Sequence, residues 1–184
     1  MSITIRHPVA AVALAALFAG TFLALGSDSG PLLLGLCLTT VLVAVAVTDL
    51  ERLLIPNRIL LGGAITGLVV VAATDPSSLP VRAIAALAAG GFLLGGAVWR
   101  GHGMGMGDVK LAALIGIYLG GAVIPALLVA FAAGALAGVC LVLRNGVPAR
   151  EQMLPFGPFL ALGGVVGLWA GDAIVDWYLD RFLH

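Results

Sequence analysis

Two aspartates, Asp49 and Asp108, lie at the ends of long apolar stretches of the sequence. Asp49 directly follows the apolar run VLVAVAVT, and Asp108 opens an apolar stretch after the segment GHGMGMG. A carboxylate at such a position is unfavourable unless it is paired, hydrated or used in a reaction. Two carboxylates that share a site divide into an ionised base and a protonated acid, because both cannot ionise without strong repulsion. These residues indicate acid–base chemistry if the fold brings them together, although each alone is also consistent with an ordinary residue at a membrane surface.

The composition predicts that helices in a lipid bilayer hold these two residues. The chain has 184 residues, of which 61% are hydrophobic and 10% are charged, and this is too apolar for a soluble domain that must cover its surface with polar groups. Nine basic and nine acidic residues give a formal net charge of zero, so no basic surface for nucleic acid is expected. The two cysteines lack the spacing of a metal site or of a predictable disulfide.

Seven apolar runs predict an all-α bundle of six to seven transmembrane helices, in one membrane domain that covers residues 1–184. A helical crossing takes roughly 20 apolar residues, so the fifth run spans the membrane only if the helix tilts or the bilayer thins. The first run is either a retained span or a signal peptide, and its length favours a retained span. The runs cover residues 8–26, 31–49, 58–74, 79–99, 108–120, 122–143 and 157–177.

The distribution of basic residues predicts the side of the membrane on which the two aspartates lie. Cytoplasmic loops carry most of the Lys and Arg of a membrane protein. With the amino terminus inside the cell, only Arg82 and Arg181 fall on the outer side. The same topology puts Asp49 and Asp108 at the cytoplasmic edge of the membrane, where the two carboxylates can meet.

Glycine surrounds Asp108 and is frequent elsewhere in the chain. Gly105 and Gly107 belong to a glycine-rich segment that favours neither helix nor strand and lets the backbone approach another segment closely. The segment lacks the residue order of a phosphate-binding P-loop. Irregular backbone at membrane depth is tolerated only where protein or water covers it, so we expect the segment to line a cavity beside Asp108. The glycine pairs whose spacing suits close helix packing include Gly91 with Gly95 and Gly134 with Gly138.

Three motifs resemble, in the same order, those of the type IV prepilin peptidases, which belong to the GxGD class of intramembrane aspartic peptidases. GMGDVKL, residues 105–111, resembles the GxGD signature of that class. Asp49 is followed by a polar stretch with Pro56 and Asn57, as is the partner aspartate of the family. LPFGPFLALGG, residues 154–164, resembles the segment that leads into the family's last helix.

The resemblance implies an aspartic endopeptidase with Asp49 and Asp108 as the catalytic pair and with no metal or organic cofactor. The implied substrates are type IV prepilin or pseudopilin precursors, whose short basic leader is cut at the cytoplasmic face of the bacterial inner membrane. Bifunctional members carry an amino-terminal methyltransferase domain with four cysteines, which has no counterpart in this sequence, so a peptidase-only member is expected. The residues expected to bind substrate or shape the site are Gly105, Gly107, Lys110, Pro56, Asn57, Pro155, Phe156 and Gly157.

Helix termini suggest a role for each residue near the pair. Asp108 at a helix start is near a positive dipole end and Asp49 at a helix finish is near a negative one, so Asp108 is the expected resting base. Lys110 either biases the pair electrostatically or anchors its helix at the interface. The segment from Pro155 to Gly157 either pairs with extended substrate or simply starts the last helix.

Two other classes of function remain open from the residues alone. A small proton-coupled transporter would use Asp49 and Asp108 as a relay. Transport sites usually lie near the midplane, often within internal repeats, and the sequence has no clear repeat. A lipid-linked phosphotransferase would hold magnesium with several clustered carboxylates, and the spacing of the acids gives no obvious cluster.

Overall fold

The computed structural model describes residues 6–100, 105–145 and 155–182, and within these ranges the chain forms seven α-helices and no β-strand. The helices are α1 (Arg6–Leu25), α2 (Ser29–Arg52), α3 (Asn57–Thr74), α4 (Leu79–Arg100), α5 (Met106–Leu119), α6 (Val123–Asn145) and α7 (Gly157–Phe182). Six segments of the described residues are long and apolar enough to cross a membrane, and one of them, Met106–Arg144, contains both α5 and α6. The predicted all-α, multi-pass membrane bundle is confirmed.

The helices end where the apolar runs give way to Gly, Pro and polar residues. α1 stops at Gly26, whose φ of 69° closes the helix in the left-handed conformation that glycine adopts without strain. α2 stops at Leu53, which takes the same conformation with a φ of 51°. Pro56 then has extended backbone and starts α3, since proline is accepted where the first helical N–H groups have no partner. The sequence therefore predicts these boundaries to within a few residues.

α5 is the shortest and most enclosed of the helices. It has 14 residues, which at about 1.5 Å per residue is shorter than the roughly 30 Å hydrocarbon core of a bilayer. Leu111 and Leu114 are nearly inaccessible. Arg82 of α4 donates hydrogen bonds to the carbonyl oxygens of Ile117 and Tyr118, which satisfies the free carbonyls at the end of the helix. The short fifth run is therefore an interior helix whose last carbonyls meet the half-buried guanidinium of Arg82.

Close contact between α6 and α7 depends on glycines of α7. A Cβ added at Gly167 would lie 2.7 Å from the Cβ of Ala126 in α6, and one added at Gly171 would lie 2.6 Å from the Cβ of Ala122, in the turn just before α6. Such distances are too short for real carbon atoms, so only glycine lets the two backbones approach this closely.

The glycine pairs expected from spacing do not make these contacts. Among the described residues, no atom lies within 4 Å of a Cβ added at Gly91, Gly95 or Gly138. Gly134 is the exception, since an added Cβ would lie 3.0 Å from the ring of Phe156. The expectation for these pairs was wrong because spacing alone does not tell which side of a helix faces a neighbour.

The first helix belongs to the same bundle. Trp169 of α7 donates a hydrogen bond from Nε1 to Oγ1 of Thr21 over 3.3 Å, and Thr21 is completely buried. Gly20 lies directly against the same indole ring. α1 is therefore packed onto α7 near its own C-terminal end.

The two ends of the bundle differ in what they contain. The end of α2 and the starts of α3, α5 and α7 lie together, as the contacts among Asp49, Lys110, Asn57 and Gly157 require; we name this the aspartate end. The opposite end holds a cavity of about 530 Å³, which we name the Arg82 cavity. Its charged lining residues are Asp28, Asp75, Arg82 and Asp172.

Candidate active site

Asp49 lies in the last turn of α2 and faces the interior. It follows Leu42 and Val45 on the buried side of the helix, and only 6% of its surface is exposed. Its backbone carbonyl accepts a 2.9 Å hydrogen bond from the N–H of Leu53, which closes the helix one turn later. The local sequence therefore ends α2 just after an inward-facing carboxylate.

Asp108 lies in the first turn of α5 and is also buried, with 8% of its surface exposed. Gly105 precedes the helix in extended conformation, and its carbonyl accepts a 3.0 Å hydrogen bond from the Asp108 N–H. A Cβ at Gly107 would lie 2.9 Å from the Cβ of Ile55, so the absence of a side chain lets the loop after α2 pack against the start of α5. Gly105 and Gly107 thus lie directly beside Asp108 in the structure.

The fold brings the two aspartates into one site. The negative charge of Asp49 acts directly on the carboxyl group of Asp108. They are the only buried charged side chains among the described residues. Within the same ranges, neither carboxylate accepts a hydrogen bond from a lysine or an arginine. A buried pair of this kind is suited to share a proton and to work as an acid and a base.

A third helix contributes to the site through its backbone. The N–H of Gly157, the first residue of α7, donates a 2.9 Å hydrogen bond to Oδ2 of Asp49. Asp49 therefore lies at the end of α2, but its carboxylate contacts the start of α7. Asp108 lies at the start of α5. Both carboxylates are next to a helix amino terminus. The helix-dipole argument that made Asp108 the resting base assumed opposite fields at the two residues, and this arrangement removes that difference.

Lys110 and Asn57 link two helices beside the site. Nζ of Lys110 donates a 2.9 Å hydrogen bond to Oδ1 of Asn57, joining α5 to α3 at an exposed position. Pro56 supplies the extended turn before α3, and its carbonyl accepts the N–H of Ile59 at 3.0 Å. Lys110 thus links the start of α5 to the start of α3, a contact that neither of its expected roles had included.

The Pro155–Gly157 segment contacts both α6 and the end of α2. The ring of Phe156 packs against Phe131 of α6, with centroids 5.4 Å apart, and its carbonyl accepts hydrogen bonds from the N–H groups of Phe159 and Leu160. Gly157 turns the other way, to Asp49. Pro155 is half-buried just before the helix. The segment therefore starts α7 and also reaches the candidate site.

Some residues of the motifs fall outside the described ranges, namely Met104 of the glycine-rich segment and Leu154 of the last motif. Within the described ranges, no three His, Cys, Asp or Glu side chains lie close enough together to hold a metal ion. The sequence offered no signal for the contribution of Ile55, since an apolar residue in a loop has many ordinary explanations.

The chain is similar to proteins of one family over most of its length. A family model described as "Type IV leader peptidase family" matches residues 36–143, which include both aspartates. A "Prepilin leader peptidase/N-methyltransferase" of Aeromonas hydrophila is 35% identical over 189 residues, which cover 98% of this chain and 64% of the relative. The protein of that name from Bacillus subtilis (strain 168) is 34% identical and covers 98% of this chain and 73% of the relative.

A third relative of that name, from Burkholderia pseudomallei (strain 1026b), is 37% identical over 90% of this chain and 55% of the relative. The chain thus spans less than two thirds of the Aeromonas and Burkholderia relatives. No solved structure matches the chain. The family match and the identity over nearly the whole chain confirm the resemblance read from the motifs, and this chain belongs to the type IV leader peptidase family.

Proposed function

We propose that this chain is an aspartic endopeptidase that removes the short basic leader from type IV prepilin or pseudopilin precursors. Asp49 and Asp108 are the catalytic residues of this proposal. The observation that carries it is the pair itself: these are the only buried charged side chains among the described residues, they come from distant parts of the chain, and the charge of Asp49 acts on Asp108. The names of the relatives support the substrate class.

The chemistry follows from a pair of carboxyl groups that holds one proton between them. The ionised aspartate removes a proton from a water molecule as that water attacks the scissile carbonyl carbon. The protonated aspartate donates a hydrogen bond to the carbonyl oxygen and then helps to protonate the leaving amine. Each step uses only side chains that the site contains, so the proposed mechanism needs no metal or organic cofactor.

The position of the pair at one end of the bundle suits a precursor whose cut lies at a membrane surface. An apolar helix of the precursor would lie in the bilayer while its basic leader stays in the aqueous phase. Most Lys and Arg residues of the chain lie on the side of the aspartate end in the predicted topology, which supports a cytoplasmic site in the bacterial inner membrane. The proposal treats the chain as one membrane-embedded peptidase domain.

A proton-coupled transporter with Asp49 and Asp108 as its relay is less well supported. Relay carboxylates usually lie near the middle of the membrane at the interface of internal repeats. Here Asp49 is in the last turn of its helix and Asp108 in the first turn of another, so both lie at the end of the bundle.

The test measures leader removal from a co-expressed prepilin precursor. The change in the precursor's electrophoretic mobility and mass spectrometry of the new amino terminus report the cleavage. Wild type is expected to process the precursor, and Asp49→Ala and Asp108→Ala are expected to leave it intact. Asp172→Ala, at the opposite end of the bundle, is the matched control and is expected to process normally. Each variant is checked for membrane extraction and a single gel-filtration peak.

Normal processing by either Asp49→Ala or Asp108→Ala would show that the pair is not the catalytic pair. Failure of wild type to process several precursors, with all variants well folded, would argue against the substrate class.

A further inference from the structure

The hydrogen bond between Gly157 and Asp49 joins the end of one helix to the start of another. Gly157 is the first residue of α7, and the first N–H groups of a helix have no partner within the helix. One of these free N–H groups donates to Oδ2 of Asp49 over 2.9 Å, across 108 positions of sequence. The contact is buried, and it is the hydrogen bond that the Asp49 carboxylate accepts among the described residues.

The contact also requires that residue 157 has no side chain. A Cβ added at Gly157 would lie 2.6 Å from Oδ2, 3.0 Å from Cγ and 3.1 Å from Cβ of Asp49. The backbone itself does not need glycine there, because the described glycines with positive φ are Gly26 and Gly120. The need for glycine at this position is therefore steric, and the group that excludes a side chain is the Asp49 carboxylate.

We propose that Gly157 is a positioning residue for Asp49, an inference that rests on the proposed catalytic role of that aspartate. Its N–H holds Oδ2 in place, which leaves Oδ1 as the oxygen available to water or to the proton shared with Asp108. Its missing side chain lets the start of α7 come close enough to do this. The sequence predicted only that Gly157 shapes the site, and the hydrogen bond and the close approach assign it to the Asp49 carboxylate.

Other close-packed glycines provide the contrast that a test needs. Gly164, on the same helix, would place a Cβ 2.9 Å from Cδ1 of Leu42, which is the far end of a flexible apolar side chain. Gly138 has no described atom within 4 Å of an added Cβ. Gly164→Ala therefore tests the effect of tighter apolar packing, and Gly138→Ala tests the effect of helix propensity. Gly157→Ala tests the effect of displacing the Asp49 carboxylate.

The experiment measures kcat, KM and the pH–rate profile for cleavage of a purified prepilin precursor in detergent micelles by Gly157→Ala, Gly164→Ala and Gly138→Ala. A carboxylate displaced by an added methyl group is expected to lower kcat at least about tenfold, since a misplacement of 1 Å can cost roughly a hundredfold. The pH–rate profile of Gly157→Ala is expected to shift, because the backbone N–H of residue 157, which donates to the Asp49 carboxylate, moves. Gly164→Ala and Gly138→Ala are expected to keep the wild-type profile.

A wild-type kcat and pH–rate profile in Gly157→Ala would overturn the proposal, as would equal changes in Gly157→Ala and Gly164→Ala. Asp49→Ala and Asp108→Ala are assayed in parallel. If they are inactive while Gly157→Ala is normal, the positioning role alone is wrong; if they are active, the proposed function is wrong.

A second measurement serves if Gly157→Ala is poorly folded. Asp49→Ala removes Cγ and Oδ2, the two atoms that an added methyl group would approach within 3.0 Å. Gly157→Ala is therefore expected to lower the midpoint of thermal unfolding far less in an Asp49→Ala background than in wild type. An equal loss in both backgrounds would show that the methyl group does not act through Asp49, and the proposal would fail.

Discussion

Both ends of the bundle hold carboxylates, but the surroundings of these carboxylates are opposite in kind. At the Arg82 cavity, Asp75 and Asp172 are exposed, and their negative charges act on the half-buried guanidinium of Arg82. At the aspartate end, Asp49 and Asp108 are buried, and the charge that acts on Asp108 is that of Asp49.

The difference in burial and neighbouring charge suggests that the carboxylates at the Arg82 cavity have a structural role and that those at the aspartate end have a functional one. An exposed carboxylate near a guanidinium is hydrated and balanced, so stability and solvation explain it. Two carboxyl groups buried together are unfavourable for folding, and such pairs are found where a reaction requires them. This contrast supports the proposed chemistry at the aspartate end, whereas Arg82 holds the end of α5.

Amide substitutions at the two ends should give the largest contrast. Asp49→Asn and Asp108→Asn preserve side-chain shape but remove the acid–base function, so each is expected to lower the rate of leader cleavage by roughly 10²- to 10⁴-fold. Asp75→Asn and Asp172→Asn, at the Arg82 cavity, are expected to cleave at the wild-type rate. The measurement is the cleavage rate of purified variants in detergent at saturating precursor. Equal losses at both ends would contradict the comparison.

Much of the aspartate end was predictable because its signals are local. The apolar runs place Asp49 at a helix end and Asp108 at a helix start, and the structure confirms both positions. The glycines before Asp108 indicated close backbone approach, and Gly107 does pack against Ile55. Since each feature depends on a few neighbouring residues, sequence patterns were sufficient.

The remaining features depend on partners that are distant in sequence. Nothing in the sequence around Arg82 shows that its guanidinium meets carbonyls of α5, and a single arginine in a predicted span is compatible with many partners. The expected dipole difference between the aspartates ignored α7, because only the folded chain brings Gly157 to Asp49. Helix positions are predicted by composition, whereas these contacts depend on the rotation and depth of each helix in the bundle.

Removal of the guanidinium should test the structural role of the Arg82 cavity. Arg82→Met keeps an unbranched apolar stem but leaves the last carbonyls of α5 without their donor, and an unsatisfied buried polar group costs about 1–3 kcal/mol. The free energy of unfolding in detergent is expected to fall by that amount.

Arg58→Met, at an exposed position of α3, is the matched control for Arg82→Met and is expected to change stability by less than about 0.5 kcal/mol. An unchanged stability in Arg82→Met would mean that other donors satisfy the end of α5. Loss of cleavage in a stably folded Arg82→Met protein would mean that the two ends are not functionally separate.

A smaller effect is expected where α5 is tied to α3. The hydroxyl of Tyr118, which also lines the Arg82 cavity, donates a 2.7 Å buried hydrogen bond to the carbonyl of Gly63. Tyr118→Phe removes this bond and is expected to lower the free energy of unfolding by about 1 kcal/mol. Tyr178→Phe, on the exposed part of α7, is the control and should be neutral. If the two variants are equally stable, the hydroxyl of Tyr118 does not hold α5 in place.

The smallest expected effect is a pH dependence of stability at the Arg82 cavity. Hydrogen bonds from the hydroxyls of Ser77 and Ser78, together with the positive charge of Arg82, lower the pKa of Asp75. Because the pKa is lower in the folded protein than its value of about 3.9 in an unfolded chain, ionised Asp75 stabilises the fold above that pH. This contribution is lost as pH falls through the folded-state pKa.

The difference in unfolding midpoint between wild type and Asp75→Asn is therefore expected to be greatest above about pH 5 and to shrink below about pH 4. Asp176→Asn, at an exposed aspartate of α7, is measured alongside as the control for removing a surface carboxylate. A difference that stays constant with pH would mean that Asp75 contributes through its shape rather than its charge. In that case only the pair of Arg82 and Asp172 would still distinguish the balanced charges of the Arg82 cavity from the like-charged pair at the aspartate end.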